Sequence, residues 1–152
     1  MTADRITFTL PGPPIPWHRA RLSRSNRIDG GGVRHYKDKR DVAYQQGISM
    51  QAMHALQLWT QSFKKPWDPS GEWELECEFH VHDLVKKDID NLTKQAMDAL
   101  SGVAYDDDKQ VVRLIITKRL CREKPRTIVT LRRVHGYLEQ RAASAGLGLG
   151  FP

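Results

Sequence analysis

The first regular pattern in the chain is Ile6–Leu10, where Ile6, Phe8 and Leu10 alternate with Thr7 and Thr9. A two-residue period sends successive side chains to opposite faces, so this segment predicts a strand with one buried face. Trp73–His82 repeats the pattern at greater length. Trp73, Leu75, Cys77, Phe79 and Val81 lie on one side, and Glu74, Glu76, Glu78, His80 and His82 on the other, with Glu72 leading in. It predicts a strand with an apolar inner face and an acidic face toward solvent. His80 and His82 share that outer face; lacking a third ligand at a helpful spacing, they read as exposed strand histidines rather than a zinc site. Val111–Cys121 and Thr127–Val134 predict two more strands, and Arg122–Arg126, with Pro125, predicts a hairpin turn between them.

Elsewhere the apolar positions follow a helical period. Val42, Ile48, Ala52, Ala55, Leu56 and Trp59, with Tyr44, Met50 and Met53 beside them, predict a helix over Asp38–Trp59 that starts near Asp38 or Asp41 and packs on a sheet. Leu92, Ala96, Ala99 and Leu100 mark a shorter helix, Asn91–Leu100, with Asp90 suited to its N-cap and Gly102 to its C-terminal cap. PGPPIPW ends the first strand, because four prolines in six residues remove donors and fix φ. Thr60–Gly71 reads as a connecting loop in which Trp67 either covers the core edge or stacks on a base. These elements place one domain over residues 1–135, with a basic loop at 18–40, and a mobile tail at 136–152.

At 152 residues, 39% hydrophobic and 28% charged, the chain supports one core and not two ordinary domains. No apolar run is long enough to span a membrane, and MTADRITFTLPGPP lacks the character of a signal peptide. Cys77 and Cys121 lack metal-type spacing and read as reduced thiols of a cytoplasmic protein. The net charge of +6 points to a polyanionic partner, nucleic acid first. Arg19, Arg21, Arg24, Arg27, Arg34, Lys37, Lys39 and Arg40 crowd the 18–40 loop around a glycine-rich tip. They read as phosphate-binding groups, or else as a solvated loop.

Against that basic background, five acids gather in Lys86–Val112, KKDIDNLTKQAMDALSGVAYDDDKQVV: Asp88, Asp90, Asp106, Asp107 and Asp108. Like charges so placed cost stability unless a cation offsets them. Asp88 and Asp90, two apart in extended chain, share a face, and Lys94 follows Asp90 by one helical turn. The three later aspartates follow a glycine turn, so the chain can return them beside the first pair. Oxygen ligands of this kind suit Mg²⁺, which can activate water for in-line attack, while a lysine offsets charge or protonates the leaving oxygen. The rival reading makes Asp90 a helix cap and the aspartate run a polar turn. An EF-hand is excluded by Leu92 at a ligand position.

The segment resembles the signature of the RusA family of Holliday junction resolvases, found in phages and prophages. The shared pattern is basic-Asp-x-Asp-Asn-x-x-Lys, then Asp-Ala-Leu, a glycine turn, and Asp-Asp-x-Gln-Val-Val. PGPPIPWHRAR is similar to that family's proline-rich start and basic loop. The resemblance implies a single small α+β domain, a mixed sheet with two main helices packed on it. It implies an Mg²⁺-dependent (Mn²⁺ as a substitute) homodimeric endodeoxyribonuclease that makes paired nicks in a four-way junction. Asp88, Asp90 and Asp108 would be metal-binding catalytic aspartates, Lys94 the catalytic lysine, and Asp107 a further candidate ligand. Branched DNA would be held through Arg19, Arg21, Arg24, Arg27, Arg34, Lys37, Lys86, Lys87 and Lys118. The alternatives are a non-cleaving junction-binding protein and a broader flap or branched-DNA nuclease. Expected surroundings are the cytoplasm of a bacterial host or phage-infected cell.

Overall fold

In a computed structural model, residues 4–18, 21–23, 34–136 and 143–144 are described. Six strands and two helices run in the order β1 (Arg5–Pro11), β2 (Arg21–Ser23), β3 (Arg34–Tyr36), α1 (Lys39–Phe63), β4 (Glu72–Val81), α2 (Ile89–Leu100), β5 (Val111–Leu120) and β6 (Arg126–Val134). A one-turn 3-10 helix, Asp108–Gln110, precedes β5. The main sheet has the order β1-β6-β4-β5, with β4 and β5 parallel and the other neighbours antiparallel. The fold is therefore a single small α+β domain with a mixed sheet.

Alternation along β4 sets the two faces. Trp73, Leu75, Cys77, Phe79 and Val81 are fully buried against the helices. Their cross-strand partners on that face include Leu131 and Val129 of β6 and Leu114, Ile116 and Lys118 of β5. Ile6 and Phe8 of β1 extend the same apolar layer through Leu131 and Val129. From α1 come Tyr44, Ile48, Ala52, Ala55 and Trp59; from α2, Leu92, Ala96, Ala99 and Leu100. Asp38 caps α1, its carboxylate accepting the Arg40 N–H at 2.9 Å. The Arg40 guanidinium, and then that backbone bond, hold the Asp38 carboxyl down to about 2.

Several sequence expectations are corrected here. β5 and β6 do not form a hairpin; β4 lies between them. The α2 crossover makes β5 parallel to β4, and residues 121–125 then carry the chain across the end of β4 to its other side. The acidic face of β4 is not simply solvent-facing: Glu74 is 3% exposed and His80 is 8% exposed. Glu74 binds Arg113 and Arg132 on the flanking strands, and His80 Nε2 lies 2.5 Å from Glu78. α1 runs to Phe63 instead of Trp59, and its Met50 and Met53 are exposed while Tyr44 is central to the core. Trp67 joins the core edge, stacked on Trp73 and edge-on to Trp59, with its indole N–H donated to Ala104 O at 2.8 Å. Within the 18–40 loop, 21–23 pair with 34–36 as a short antiparallel ladder. The 136–152 tail lies outside the described residues except for 136 and 143–144.

Candidate active site

The acidic segment leaves β4, passes through α2 and returns by a tight turn to β5. Asp88, not Asp90, holds the N-cap position of α2, which begins at Ile89. Asp88 and Asp90 therefore do not share an extended face. The Asp88 carboxylate makes no cap hydrogen bond; among the described residues its Oδ2 accepts a 3.4 Å contact from Asn91 Nδ2. A capping residue that does not cap leaves its carboxylate free for another partner, at the end of a helix whose dipole favours negative charge.

Asp90, one turn before Lys94, lies in the first turn of α2. Asp98 follows by another turn, and its carboxylate lies 3.4 Å from the Lys94 ammonium. Spacing of four residues aligns the three on one helix face. Opposite them is β5, an edge strand whose Leu114 and Ile116 face the helix side, Leu114 exposed and Ile116 half-buried against the core. Between the helix and the strand is a cleft of about 380 Å³ lined by Ile89, Asp90, Thr93, Lys94, Met97, Asp98, Asp108, Leu114 and Ile116. Asp90, Lys94 and Asp108, 18 residues apart at the extremes, thus meet at one site.

Turn chemistry brings Asp108 there. Gly102, at φ 77°, takes a left-handed conformation that a side chain disfavours, and reverses the chain after α2. Tyr105 is fully buried and donates its hydroxyl to Met97 O at 3.0 Å, which pins the turn to the helix. Burial pushes the Tyr105 phenol upward, and nearby Cys77, Asp108 and Asp98 push it in the same direction. Gln110 clamps the aspartate run. Its Oε1 accepts the N–H groups of Asp106 and Asp107 at 2.9 Å each. Its Nε2 donates to Pro69 O and Gly71 O at 2.9 and 3.0 Å. Asp107 is used locally: it caps the one-turn helix by accepting the Lys109 N–H at 2.9 Å. That bond holds its carboxyl below the ordinary value.

The loop before α2 is built around two further groups. Asp83 Oδ1 accepts the Val85 N–H at 2.8 Å. The Lys118 ammonium, on the helix side of β5, donates to Leu84 O and Lys87 O at 2.5 and 2.7 Å. Lys118 thus ties down the strand-to-helix loop that ends at Asp88. Lys86 is exposed on this loop and Lys87 half-buried, and Lys37 is exposed before α1. Arg21 and Arg34 fall within the β2–β3 ladder. Arg19, Arg24 and Arg27 lie outside the described residues. Arg113 and Arg119 face the opposite side of the sheet, paired with Glu74 and Glu78.

Among the described residues, no three His, Cys, Asp or Glu side chains form a closed metal cage. The cleft instead offers Asp90 and Asp108, an all-oxygen pair. That donor set fits a hard divalent ion, which commonly takes one or two carboxylates and completes its shell with water and phosphate oxygens. Asp88 stands at the head of the same helix, outside the residues that line the cleft. Sequence reading missed Asp98, Tyr105 and Gln110. Asp98 and Gln110 both stand inside the quoted pattern, but their partners lie in the tertiary structure or along the helix and carry no signal of their own in the sequence.

Comparison with curated proteins gives no match. A profile of the family described as Endodeoxyribonuclease RusA matches residues 11–132. That stretch takes in the cleft, the strands that frame it and the basic loop before it, so the protein belongs to the RusA endodeoxyribonuclease family and is a crossover junction endodeoxyribonuclease.

Proposed function

We propose that the protein resolves four-way DNA junctions by paired, Mg²⁺-dependent hydrolysis of phosphodiester bonds, acting as a homodimer inside a bacterial or phage-infected cell. The observation that carries this reading is the meeting of Asp90, Asp108 and Lys94 in one cleft. RusA-family resolvases depend on a divalent metal, and Asp90 and Asp108 would hold it, with Asp88 entering from the helix cap. Such an ion would supply water activation and neutralise charge on the phosphate.

The chain's own groups do the rest. Lys94 carries a positive charge into a cleft otherwise rich in carboxylate, where it can meet a phosphate oxygen and offset charge that develops in the transition state. Asp98 draws the Lys94 ammonium along the helix face. Lys86, Lys87 and the 18–40 loop add basic charge on both flanks in sequence, suited to backbone phosphates rather than base edges. Lys118, engaged with two carbonyls, supports the loop and still has a third donor for DNA. A two-fold dimer supplies two clefts related as the two cut strands are.

One assay tests the reading. A labelled four-way junction, a flap and a linear duplex are incubated with Mg²⁺, with Mn²⁺ and with chelator. Symmetric, metal-dependent nicks confined to the junction are expected. Cutting of the flap at equal rate makes the protein a broader branched-DNA nuclease, and binding without cutting refutes the catalytic assignment.

A further inference from the structure

Trp17 is far from the acidic segment in sequence, in the proline-rich stretch after β1, yet it sits against the catalytic helix. Its backbone N–H donates to Asn91 O at 3.1 Å, in the first turn of α2. The Lys94 ammonium lies over its indole ring, 5.4 Å from the ring centre. The next residue shows what keeps it there. His18 donates its backbone N–H to Asp41 Oδ2 at 2.9 Å, and its Nδ1 lies 2.7 Å from Asp41 Oδ1. Asp41 is 4% exposed, in the first turn of α1. A carboxylate withdrawn from water this far needs its partners, so the clasp resists opening.

A lysine on a half-exposed helix face has many rotamers of similar energy, which is a poor arrangement for catalysis. Here two groups narrow them: the Asp98 carboxylate at 3.4 Å and the Trp17 ring face. The ring attracts an ammonium electrostatically and keeps water from one side of it. We propose that Trp17 is a positioning residue for Lys94, held in place by Asn91 and by the Asp41–His18 clasp. The inference rests on Lys94 being the catalytic lysine. Because His18 leads directly into Arg19, the root of the basic loop and the placement of the lysine share one anchor.

The test compares Trp17→Ala, Trp17→Phe, Lys94→Ala and the Trp17→Ala/Lys94→Ala pair. Three quantities are measured: the single-turnover cleavage rate on a four-way junction with Mg²⁺, the junction Kd with Ca²⁺ in its place, and the Lys94 ε-methylene NMR shift in metal-free protein. Trp17→Ala should slow cleavage roughly 10- to 100-fold with little change in Kd, and remove the ring-current shift of Lys94. Trp17→Phe should restore much of both, and Trp17→Ala should add no further loss to Lys94→Ala. A weakened Kd at unchanged rate would overturn the proposal and make Trp17 a DNA contact. So would a Lys94 shift indifferent to Trp17. If Lys94→Ala cleaves normally while Trp17→Ala still moves the Lys94 resonance, the contact stands and the catalytic assignment of Lys94 is what fails.

Discussion

Two acid-rich stretches of this chain, the glutamates of β4 and the aspartates around α2, have opposite fates. On β4, Glu74 is enclosed by Arg113 at 2.9 Å and by Arg132, and Glu78 meets Arg119 at 3.2 Å and His80 at 2.5 Å. Around α2, among the described residues, no lysine or arginine forms an ion pair with Asp88, Asp90 or Asp108, and the one lysine of the cleft is turned to Asp98. Glu74 and Glu78 are thus neutralised within the fold and their charge serves the sheet, while Glu76 is exposed. The second set lacks such a counter-charge among the described residues, as the proposed metal site requires. The proximity of acids in sequence says little about which case applies; the location of the arginines decides it.

The sharpest way to break that contrast is to neutralise one acid from each set. Asp90→Asn and Asp108→Asn should each reduce junction cleavage by on the order of 10²–10³-fold, with the melting temperature kept or raised and gel-shift binding intact or tighter. If binding is lost while the fold persists, the aspartates are not a ligand site. Glu74→Gln should do the reverse. It leaves two arginines facing a neutral group and costs about 2 kcal/mol in denaturant unfolding, while cleavage per folded molecule is retained. A Glu74→Gln protein as stable as the parent would show that this pairing contributes nothing.

Gln110→Ala probes the scaffold between the two sets. Removing the clamp on Asp106 and Asp107 should slow cleavage about tenfold through a displaced Asp108, at a stability cost of about 1 kcal/mol. Unchanged cleavage would mean that the buried Tyr105 alone holds the turn. The smallest effect is pH-dependent. The hydrogen bond with His80, and then Arg119, hold the Glu78 carboxyl below its ordinary 4.5. A depressed folded-state value contributes stability above the unfolded value and loses it as pH falls through the folded one. Glu78→Gln should therefore be less stable than the parent at neutral pH, with the gap closing below about 4.5 as the parent protonates. A constant gap from pH 7 to 3 in thermal melts would rule out a charge-dependent role.

Much of the architecture was legible because it follows from short-range periodicity. The alternation of Ile6–Leu10 and Trp73–Val81 predicted β1 and β4, and the stripe through Ile48, Ala52 and Trp59 predicted α1. Capping was less legible: Asp88 and Asp90 are both good cap residues, and the helix takes the earlier one. The hairpin between β5 and β6 failed because a five-residue link can join adjacent strands or cross the end of a third. Only the parallel β4–α2–β5 crossover, a non-local pairing, selects between them.

The sequence alone determined that Lys94 would follow Asp90 by one helical turn, since that spacing of four residues is a local property of the chain. It also identified the family, because the whole run from Lys86 to Val112 keeps its pattern. Tertiary structure decided the rest of the site. It brought Asp108 to the cleft through Tyr105 and Gln110, turned Asp107 into a cap, and placed Trp17 beneath Lys94 from more than seventy residues away in the chain. Those contacts depend on how the sheet is ordered and where the turns pack, and no local rule of spacing contains that information.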